Sequence, residues 1–288
     1  MRQKRVVTIQ DISCFGKCSL TVALPIISAM GVETAIIPTA VLSTHTGGFE
    51  GFTFRDLTDD IPKISKHWKK LGLDFDVIYT GYLGSIEQIE CMKNFFSDFK
   101  TDNNIIIVDP AMGDNGRLYS GFTNEFATEM SKLCEKADII VPNLTEAAFM
   151  LGEEYVGENY DRAYVRGLLK RLAALGCGKV IVTGINYGDG KIGAMSYSEK
   201  ENEYYSYFTE HVNKMFHGTG DIFASVCAGA IAQGADIKKA MRLAVDFVFE
   251  CIKATQGYEK EHWYGVRFED CIGCLTANQL RKKGLLDE

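Results

Sequence analysis

Short, nearly continuous apolar runs alternate along this chain with longer segments in which apolar residues recur at helical spacing. Apolar runs without polar alternation are typical of strands that are buried on both faces. The runs that predict strands are 6–9, 35–37, 77–79, 105–108, 139–141 and 180–182, and the segments that predict helices are 20–30, 86–99, 126–133 and 164–175. Strand and helix repeated in this order predict an α/β fold, in which helices cover both faces of a parallel sheet.

The pattern changes in the last third of the chain. Between residues 192 and 208 polar and apolar residues alternate without a helix between them, which predicts a short antiparallel extension at the edge of the sheet. Two long helices are then predicted at 221–232 and 237–255, and a further helical stretch at 268–280. No repeat or linker interrupts the 288 residues, so we expect a single domain spanning 1–288.

Composition and charge narrow the class of protein. The chain is 46% hydrophobic and 24% charged, as is ordinary for a soluble enzyme, and its net charge of −7 argues against a nucleic-acid partner. It has no apolar stretch of membrane-spanning length and no signal-peptide pattern at its start, so we expect no membrane partner and a cytoplasmic location. The nine cysteines suit a reducing compartment. Cys271 and Cys274 have metal-ligand spacing but no second pair, which favours a structural role.

Polar residues follow the predicted strands. They occupy positions 10–11, 43–48, 81–82, 109–114, 142–146 and 183–184. Ligands of parallel α/β sheets bind beyond the carboxyl ends of the strands. We therefore expect these six segments to lie at one rim and to form a binding site there.

The sequence Gly218-Thr219-Gly220-Asp221 stands directly before a strongly apolar helical run. Glycines let a turn approach a ligand closely, and the N-H groups at the start of the helix attract anions. The carboxylate of Asp221 would repel phosphate, but it could take a proton from a hydroxyl group that attacks one. The alternative is a tight turn in which Thr219 or Asp221 merely caps the helix.

Three carboxylates follow the fourth and fifth predicted strands, namely Asp109, Asp114 and Glu146. Buried carboxylates need a counter-ion, and Mg²⁺ with bound water supplies one. Taken singly, Asp109 can instead be a turn residue before proline, and Glu146 a charge favoured in the first turn of a helix. Together with a phosphate-binding turn, they favour a metal-assisted phosphoryl-transfer site.

These motifs resemble the ribokinase superfamily. The Gly218–Asp221 turn, Asn143-x-x-Glu146 and the run 109–114 carry that resemblance. Within the superfamily, the segments Thr8-Ile9-Gln10, His45-Thr46-Gly47 and Thr80-Gly81-Tyr82-Leu83-Gly84 are similar to pyridoxal kinases, particularly a bacterial branch called pyridoxamine kinase. The match runs from about residue 5 to about 255. It implies a ribokinase-like three-layer sandwich with a mostly parallel central sheet and a short antiparallel edge extension.

The resemblance also implies a reaction, in which ATP phosphorylates the 5'-hydroxymethyl group of pyridoxal, pyridoxamine or pyridoxine. Asp221 would be the base, and Mg²⁺, with a monovalent cation such as K⁺, would assist in a homodimer. The implied anion hole is Gly218, Thr219 and Gly220; the substrate residues are Asp11, His45, Thr46, Gly47 and Tyr82 with Asp221; the ATP residues are Asp109, Val141, Asn143, Glu146, Thr183, Ser206 and Thr209; and the metal residues are Asp109, Asp114 and Glu146.

Two of these residues have alternative interpretations. Many pyridoxal kinases carry serine where this chain has Asp11, so Asp11 either favours protonated or amine-bearing vitamers or accepts N-H groups from the turn 13–16. His45 either contacts the substrate ring or braces its own loop.

Other functions also remain open. A hydroxymethylpyrimidine or sugar kinase of the same superfamily, and a binding module without catalysis, are alternatives. A dinucleotide-dependent oxidoreductase is disfavoured because Gly16 stands alone after the first strand.

Overall fold

The computed structural model describes residues 2–214, 216–282, 284 and 286. Its contacts divide the chain into two compact units. The first combines Met1–Tyr79 with Val212–Glu288, and the second is Thr80–His211. A single domain spanning 1–288 stays a prediction.

The first unit is built on strands in the spatial order β4, β1, β2, β3. Strands β1 and β2 are parallel, with Arg5 opposite Glu33, whereas β3 is antiparallel to β2. Val6, Val7 and Ile9 are fully buried in β1, as the continuous apolar run predicts. The strands are β1 (Arg5–Ser13), β2 (Glu33–Leu42), β3 (Phe54–Asp56) and β4 (Val77–Thr80), of which only Thr80 belongs to the second unit.

The helices of the first unit are α1 (Leu20–Ala29), α2 (Ile61–Lys70), α7 (Thr219–Ala232), α8 (Ile237–Thr255) and α9 (Ala277–Lys282). Helix α1 packs on β1, β2 and α7, and α7 packs in turn on α8. Every residue of α7 from Ile222 onward is buried. A helix that is apolar on all sides belongs in the interior, which explains its weakly amphipathic sequence.

The prediction of one helix over 268–280 is wrong. The chain there forms two 3₁₀ turns, Phe268–Asp270 and Ile272–Leu275, before α9. Gly273 in the middle of the segment disfavours a continuous helix, and the short turns already bury Phe268 and Leu275. Cys271 and Cys274 lie here, and no cluster of three or more potential metal ligands occurs in the described parts of the chain.

The second unit orders its strands β11, β10, β9, β8, β5. Strands β5, β8 and β9 are parallel, and β10 and β11 continue them as an antiparallel pair, which confirms the predicted edge extension. Asn115 and Gly116 turn a small hairpin between β6 and β7 with positive φ angles of 51° and 74°. The strands are β5 (Ile105–Val108), β6 (Gly113–Asp114), β7 (Arg117–Leu118), β8 (Ile139–Ile140), β9 (Lys179–Ile185), β10 (Lys191–Ser198) and β11 (Glu203–Glu210).

The helices of the second unit are α3 (Ile86–Phe99), α4 (Asn124–Cys134), α5 (Leu144–Leu151) and α6 (Arg162–Leu172). Helices α3 and α4 begin at side-chain caps from Ser85 and Thr123. The helix predicted over 164–175 gives way at Ala173 to a π-helical turn, which contains Gly176 at a φ of 122°. The apolar pattern above did not assign α5, because that helix is only two turns long.

The mostly parallel α/β architecture with an antiparallel extension is confirmed. Two strand ends that differ from the prediction change the placement of candidate site residues. Strand β1 continues past a bulge to Ser13 and β9 continues to Ile185, so Asp11 and Thr183 lie within strands instead of following them. Backbone pairing tolerates polar residues near a strand end, because it does not depend on the side chain. No described helix is long and apolar enough to cross a membrane.

Candidate active site

The turn that begins α7 is shaped by Gly218. This residue is the N-cap of α7 at a φ of 78°, and a Cβ there would lie 1.8 Å from the carbonyl oxygen of Lys17. Only glycine fits such a position. Because neither Thr219 nor Asp221 is the N-cap, the interpretation of these residues as simple helix caps is wrong. The first N-H groups of α7 have no acceptor within the helix, which makes its start suitable for an anion.

Asp221 lies in the first turn of α7 and is partly buried. Burial raises the pKa of Asp221 to about 7, and the charge of Asp11 adds to the shift, while the nearby backbone N-H of Ser19 opposes it. A carboxyl group with a pKa near neutrality suits a proton acceptor at physiological pH.

Asp11 is 4% exposed, and protein groups satisfy its carboxylate. The hydroxyl of Ser13 donates to Oδ2 at 2.8 Å. Burial raises the pKa of Asp11, while the nearby hydroxyl groups of Ser19 and Ser13 oppose the shift. The hydrogen bond from the Ser13 side chain differs from the turn N-H groups of the alternative interpretation, but it favours a structural role for Asp11 in the same way.

His45 has both ring nitrogens engaged by its surroundings. The N-H of Gly47 donates to Nδ1 at 3.1 Å, so Nε2 carries the proton and donates to the carbonyl oxygen of Tyr264 at 2.8 Å. Burial lowers the pKa of His45, which keeps the ring neutral. These contacts favour bracing of the loop over contact with substrate. Thr46 in the same loop is exposed.

Glu146 is the most constrained carboxylate of the second unit. It forms a capping box with Asn143, whose N-H donates to Oε2 at 2.9 Å, and the N-H of Met112 donates to Oε1 at 3.1 Å. Burial nevertheless raises the pKa of Glu146 to about 7, and the charge of Asp114 adds to the shift. Glu146 therefore does stabilise the start of α5, as the alternative interpretation predicted. This role still leaves lone pairs on its carboxylate oxygens that could bind a cation.

The predicted metal residues carry the oxygen donors that a hard cation prefers, but they do not form a cluster of three potential metal ligands among the described residues. Asp114 lies in β6, and Asp109 follows β5 and is 7% exposed. All three side chains offer carboxylate oxygens, and the charge of Asp114 adds to the effect of burial in raising the pKa of Glu146. Mg²⁺ commonly uses one or two carboxylates together with substrate phosphates and water. The metal site stays a prediction.

The predicted nucleotide residues lie on adjacent strands of the second unit. Thr183 forms a parallel β-bridge with Asn143, and the backbone N-H of Thr183 donates to the carbonyl oxygen of Pro142 at 3.0 Å. Val141 is 4% exposed, and its backbone N-H donates to the carbonyl oxygen of Val108 at 3.0 Å.

The other predicted ligand residues of this unit lie on different elements. Ser206 and Thr209 occupy β11, opposite Met195 and Ile192 of β10. Tyr82 follows β4, and its ring centroid is 5.6 Å from that of Phe122. The roles of these residues remain predictions.

Sequence patterns did not identify two residues of the first unit. Ser19 opposes the rise in the pKa of both Asp11 and Asp221, and the only available signal was a serine directly before a predicted helix. His217 contacts the His45 loop, with ring centroids 5.3 Å apart, and a Cβ on Gly47 would lie 2.7 Å from its ring. Contacts between residues so distant in sequence have no periodic signature.

Comparison with known proteins identifies the family. A family model described as phosphomethylpyrimidine kinase matches residues 23–265. The chain belongs to this family. A protein of Bacteroides thetaiotaomicron, provisionally given the same name, is 40% identical to this chain and has a TM-score of 0.90. The match covers 95% of this chain and 96% of that one. The crystal of the Bacteroides protein contains pyridoxal.

Two curated relatives carry names from vitamin metabolism. Pyridoxal kinase of Dictyostelium discoideum is 25% identical over 98% of both chains. The thiamine biosynthetic bifunctional enzyme TH1 of Arabidopsis thaliana is 28% identical over 85% of this chain, but the match spans only 45% of that relative. The predicted resemblance to pyridoxal kinases is confirmed.

Proposed function

We propose that the protein transfers the γ-phosphoryl group of ATP to the 5'-hydroxymethyl group of a vitamin B6 vitamer. The observation that carries this proposal is the pairing of Asp221, with its pKa raised to about 7, and a glycine turn at the start of α7. A base and an anion-binding turn within the four residues 218–221 are what an alcohol kinase requires. The pyridoxal bound by the Bacteroides relative and the name of the Dictyostelium relative support B6 as the acceptor class.

In the proposed mechanism, Asp221 accepts the hydroxyl proton while the substrate oxygen forms its bond to the γ-phosphorus. The bond from phosphorus to the bridging oxygen breaks, and ADP leaves with that electron pair. The N-H groups of residues 218–220 stabilise the charge on the phosphoryl oxygens during transfer. Partial burial of the Asp221 carboxyl group supports this role, because it raises the proton affinity of the carboxylate while the side chain stays partly exposed.

We propose that Glu146 and Asp114, with Asp109, hold Mg²⁺ in the ATP complex. The ion supplies positive charge at the phosphates. The chain itself contributes the fixed position of the Glu146 carboxylate, which the N-H groups of Asn143 and Met112 orient. A monovalent cation such as K⁺, a cytoplasmic location and a homodimer also belong to this proposal. Light scattering tests the dimer, and a monomer at working concentration would contradict it.

A hydroxymethylpyrimidine kinase is the second candidate because the matched family is described as phosphomethylpyrimidine kinase, although the relatives named pyridoxal kinase do not favour it. Steady-state assays with Mg-ATP should be run in parallel on pyridoxal, pyridoxamine, pyridoxine, hydroxymethylpyrimidine and simple sugars, with products separated by chromatography. We expect a B6 5'-phosphate. Turnover of hydroxymethylpyrimidine without any B6 product would favour the second candidate, and vitamer binding without ATP consumption would indicate a binding module.

A further inference from the structure

The turn that begins α7 packs against the connection between β1 and α1. A Cβ on Gly218 would lie 1.8 Å from the carbonyl oxygen of Lys17 and 3.5 Å from Sγ of Cys18. Because the two backbones approach so closely, the position of the Lys17 carbonyl group limits where the turn can lie. Residues 14–18 belong to no helix or strand, so their position depends on contacts outside regular secondary structure.

The side chain of Lys17 lies on the segment 265–269, which follows α8 in the chain. Its aliphatic stem packs on the backbone of Gly265, where an added Cβ would lie 2.5 Å from Cβ and 3.1 Å from Cγ of Lys17. The ammonium nitrogen is 2.6 Å from Oε2 of Glu269 and 5.5 Å from the ring centroid of Phe268. Only 12% of the lysine side chain is exposed, so both its stem and its charge are held in place.

The segment 265–269 is itself anchored in the first unit. Val266 and Phe268 are buried, with 0% and 3% exposure. The backbone N-H of Arg267 donates to the hydroxyl of Thr255 at 2.9 Å, and Thr255 is fully buried at the end of α8. Because α8 packs on α7, the segment joins Lys17 to the helix pair that carries the proposed anion hole.

We propose that Lys17 is a positioning residue for the glycine turn at the start of α7. Its side chain is anchored to the segment 265–269, and its carbonyl oxygen forms the wall on which Gly218 packs. A fixed wall keeps the N-H groups of residues 218–220 in the orientation that stabilises the transferred phosphoryl group. This inference rests on the proposed role of the turn as an anion hole.

The alternative for Lys17 is a surface ion pair without any role in the site. The carboxylate of Glu269 is 56% exposed, and ion pairs of this kind contribute little to stability. Loss of the pair should therefore leave the melting temperature nearly unchanged under either interpretation. A fall in kcat is expected only if the ammonium group keeps the turn in place, because small displacements within a site slow the chemical step.

The test uses Lys17→Met, which keeps the apolar stem on Gly265 and removes the ammonium group. We expect kcat to fall about fivefold, with KM for ATP and for the acceptor that the wild type phosphorylates within about twofold of wild type. The melting temperature should stay within about 2 °C of wild type. Lys17→Arg keeps the charge and should retain at least about half of the wild-type kcat.

The matched control is Lys253→Met in α8. The ammonium nitrogen of Lys253 is likewise paired, at 3.3 Å from Oε1 of Glu250, and it lies 5.2 Å from the ring centroid of Phe249. This lysine is not part of the proposed site, so we expect the control to keep the wild-type kcat.

A double-mutant cycle with Glu269→Ala tests the connection itself. Glu269→Ala alone should lower kcat about as much as Lys17→Met. In the Glu269→Ala background, Lys17→Met should lower kcat by less than about twofold, because the ammonium group has already lost its partner.

Several results would overturn the inference while the wild type remains an active kinase. These are wild-type kcat in Lys17→Met, an equal loss in the Lys253→Met control, and multiplicative losses in the cycle. A loss of kcat in Lys17→Met together with a melting temperature lower by more than about 5 °C would also overturn it, because Lys17 would then support the general stability of the fold. A wild-type protein that transfers no phosphate to any acceptor would overturn the proposed function together with this inference.

Discussion

At the scale of single residues, Asp221 is the side chain on which the proposed chemistry depends. Its carboxyl group is partly buried, and its pKa is raised to about 7. Asp221→Asn preserves the shape of the side chain but cannot accept a proton. We expect kcat to fall on the order of 10²–10⁴-fold with KM for ATP nearly unchanged, in steady-state assays. Activity within a few-fold of wild type would reduce Asp221 to a structural role.

The pH dependence of kcat follows from the same carboxyl group. Below a pH of about 7, Asp221 becomes protonated and can no longer take the hydroxyl proton. We therefore expect kcat to fall as the pH is lowered through about 7, with the slope of a single proton. The residual rate of Asp221→Asn serves as the control, and it should lack this acidic limb. A flat wild-type profile between pH 5.5 and 8, as an approximate test window, would contradict the assignment.

Asp11 provides a residue-scale test of specificity. Because serine hydroxyl groups already satisfy its carboxylate, we expect Asp11→Ser to lower kcat/KM equally for pyridoxal and pyridoxamine and to lower the melting temperature. The measurement is kcat/KM for both vitamers in both proteins. A selective loss for pyridoxamine would instead assign Asp11 to recognition of a protonated or amine-bearing substrate.

At the scale of elements, the short helix α5 joins a structural role to the proposed metal site. Glu146→Gln keeps an oxygen that can accept the N-H of Asn143, so the capping box and the fold should survive. It removes the charge, and we expect the Mg²⁺ concentration for half-maximal rate to rise about tenfold, measured by metal titration at saturating vitamer. Unchanged Mg²⁺ dependence with an unchanged melting temperature would remove Glu146 from the metal site.

The observed helices and strands also show which parts of the fold and of the candidate site could be predicted from the sequence. Apolar periodicity located the buried strands and gave the exact limits of α3 and α8, because burial dictates residue type along a whole element. It could not find the end of β1, where backbone pairing carries Asp11 within the strand. Motifs located Asp221 and Glu146, whereas the contact between the rings of His45 and His217 joins residues that are distant in sequence and therefore leaves no periodic pattern.

At the scale of the whole molecule, the two carboxyl groups with raised pKa should affect stability. Asp221 and Glu146 both have a pKa of about 7 in the folded protein, well above their ordinary values of 3.8 and 4.5. At pH values between the ordinary and the raised pKa, the folded state binds more protons than the unfolded state. The free energy of unfolding of the ligand-free protein should therefore fall as the pH rises from about 4 to about 7.

Asp221→Asn should consequently stabilise the ligand-free protein at high pH. We expect its melting temperature at about pH 8 to exceed that of wild type by roughly 2–4 °C, and the difference to shrink near pH 5, where wild-type Asp221 is already protonated. Thermal unfolding of both proteins across this range provides the measurement. Equal melting temperatures at both pH values would mean that burial of the Asp221 carboxyl group does not weaken the fold.

The division of the chain into two units determines the order in which they can fold during synthesis. The second unit, Thr80–His211, is one uninterrupted stretch, whereas the first is assembled from Met1–Tyr79 and Val212–Glu288. During synthesis β1 and α1 emerge early, but α7, which packs against them, is among the last helices to be made. Domains generally fold as units once their residues are available. The nascent chain should therefore complete the second unit first, and a chain that stops before α7 would lack the proposed base altogether.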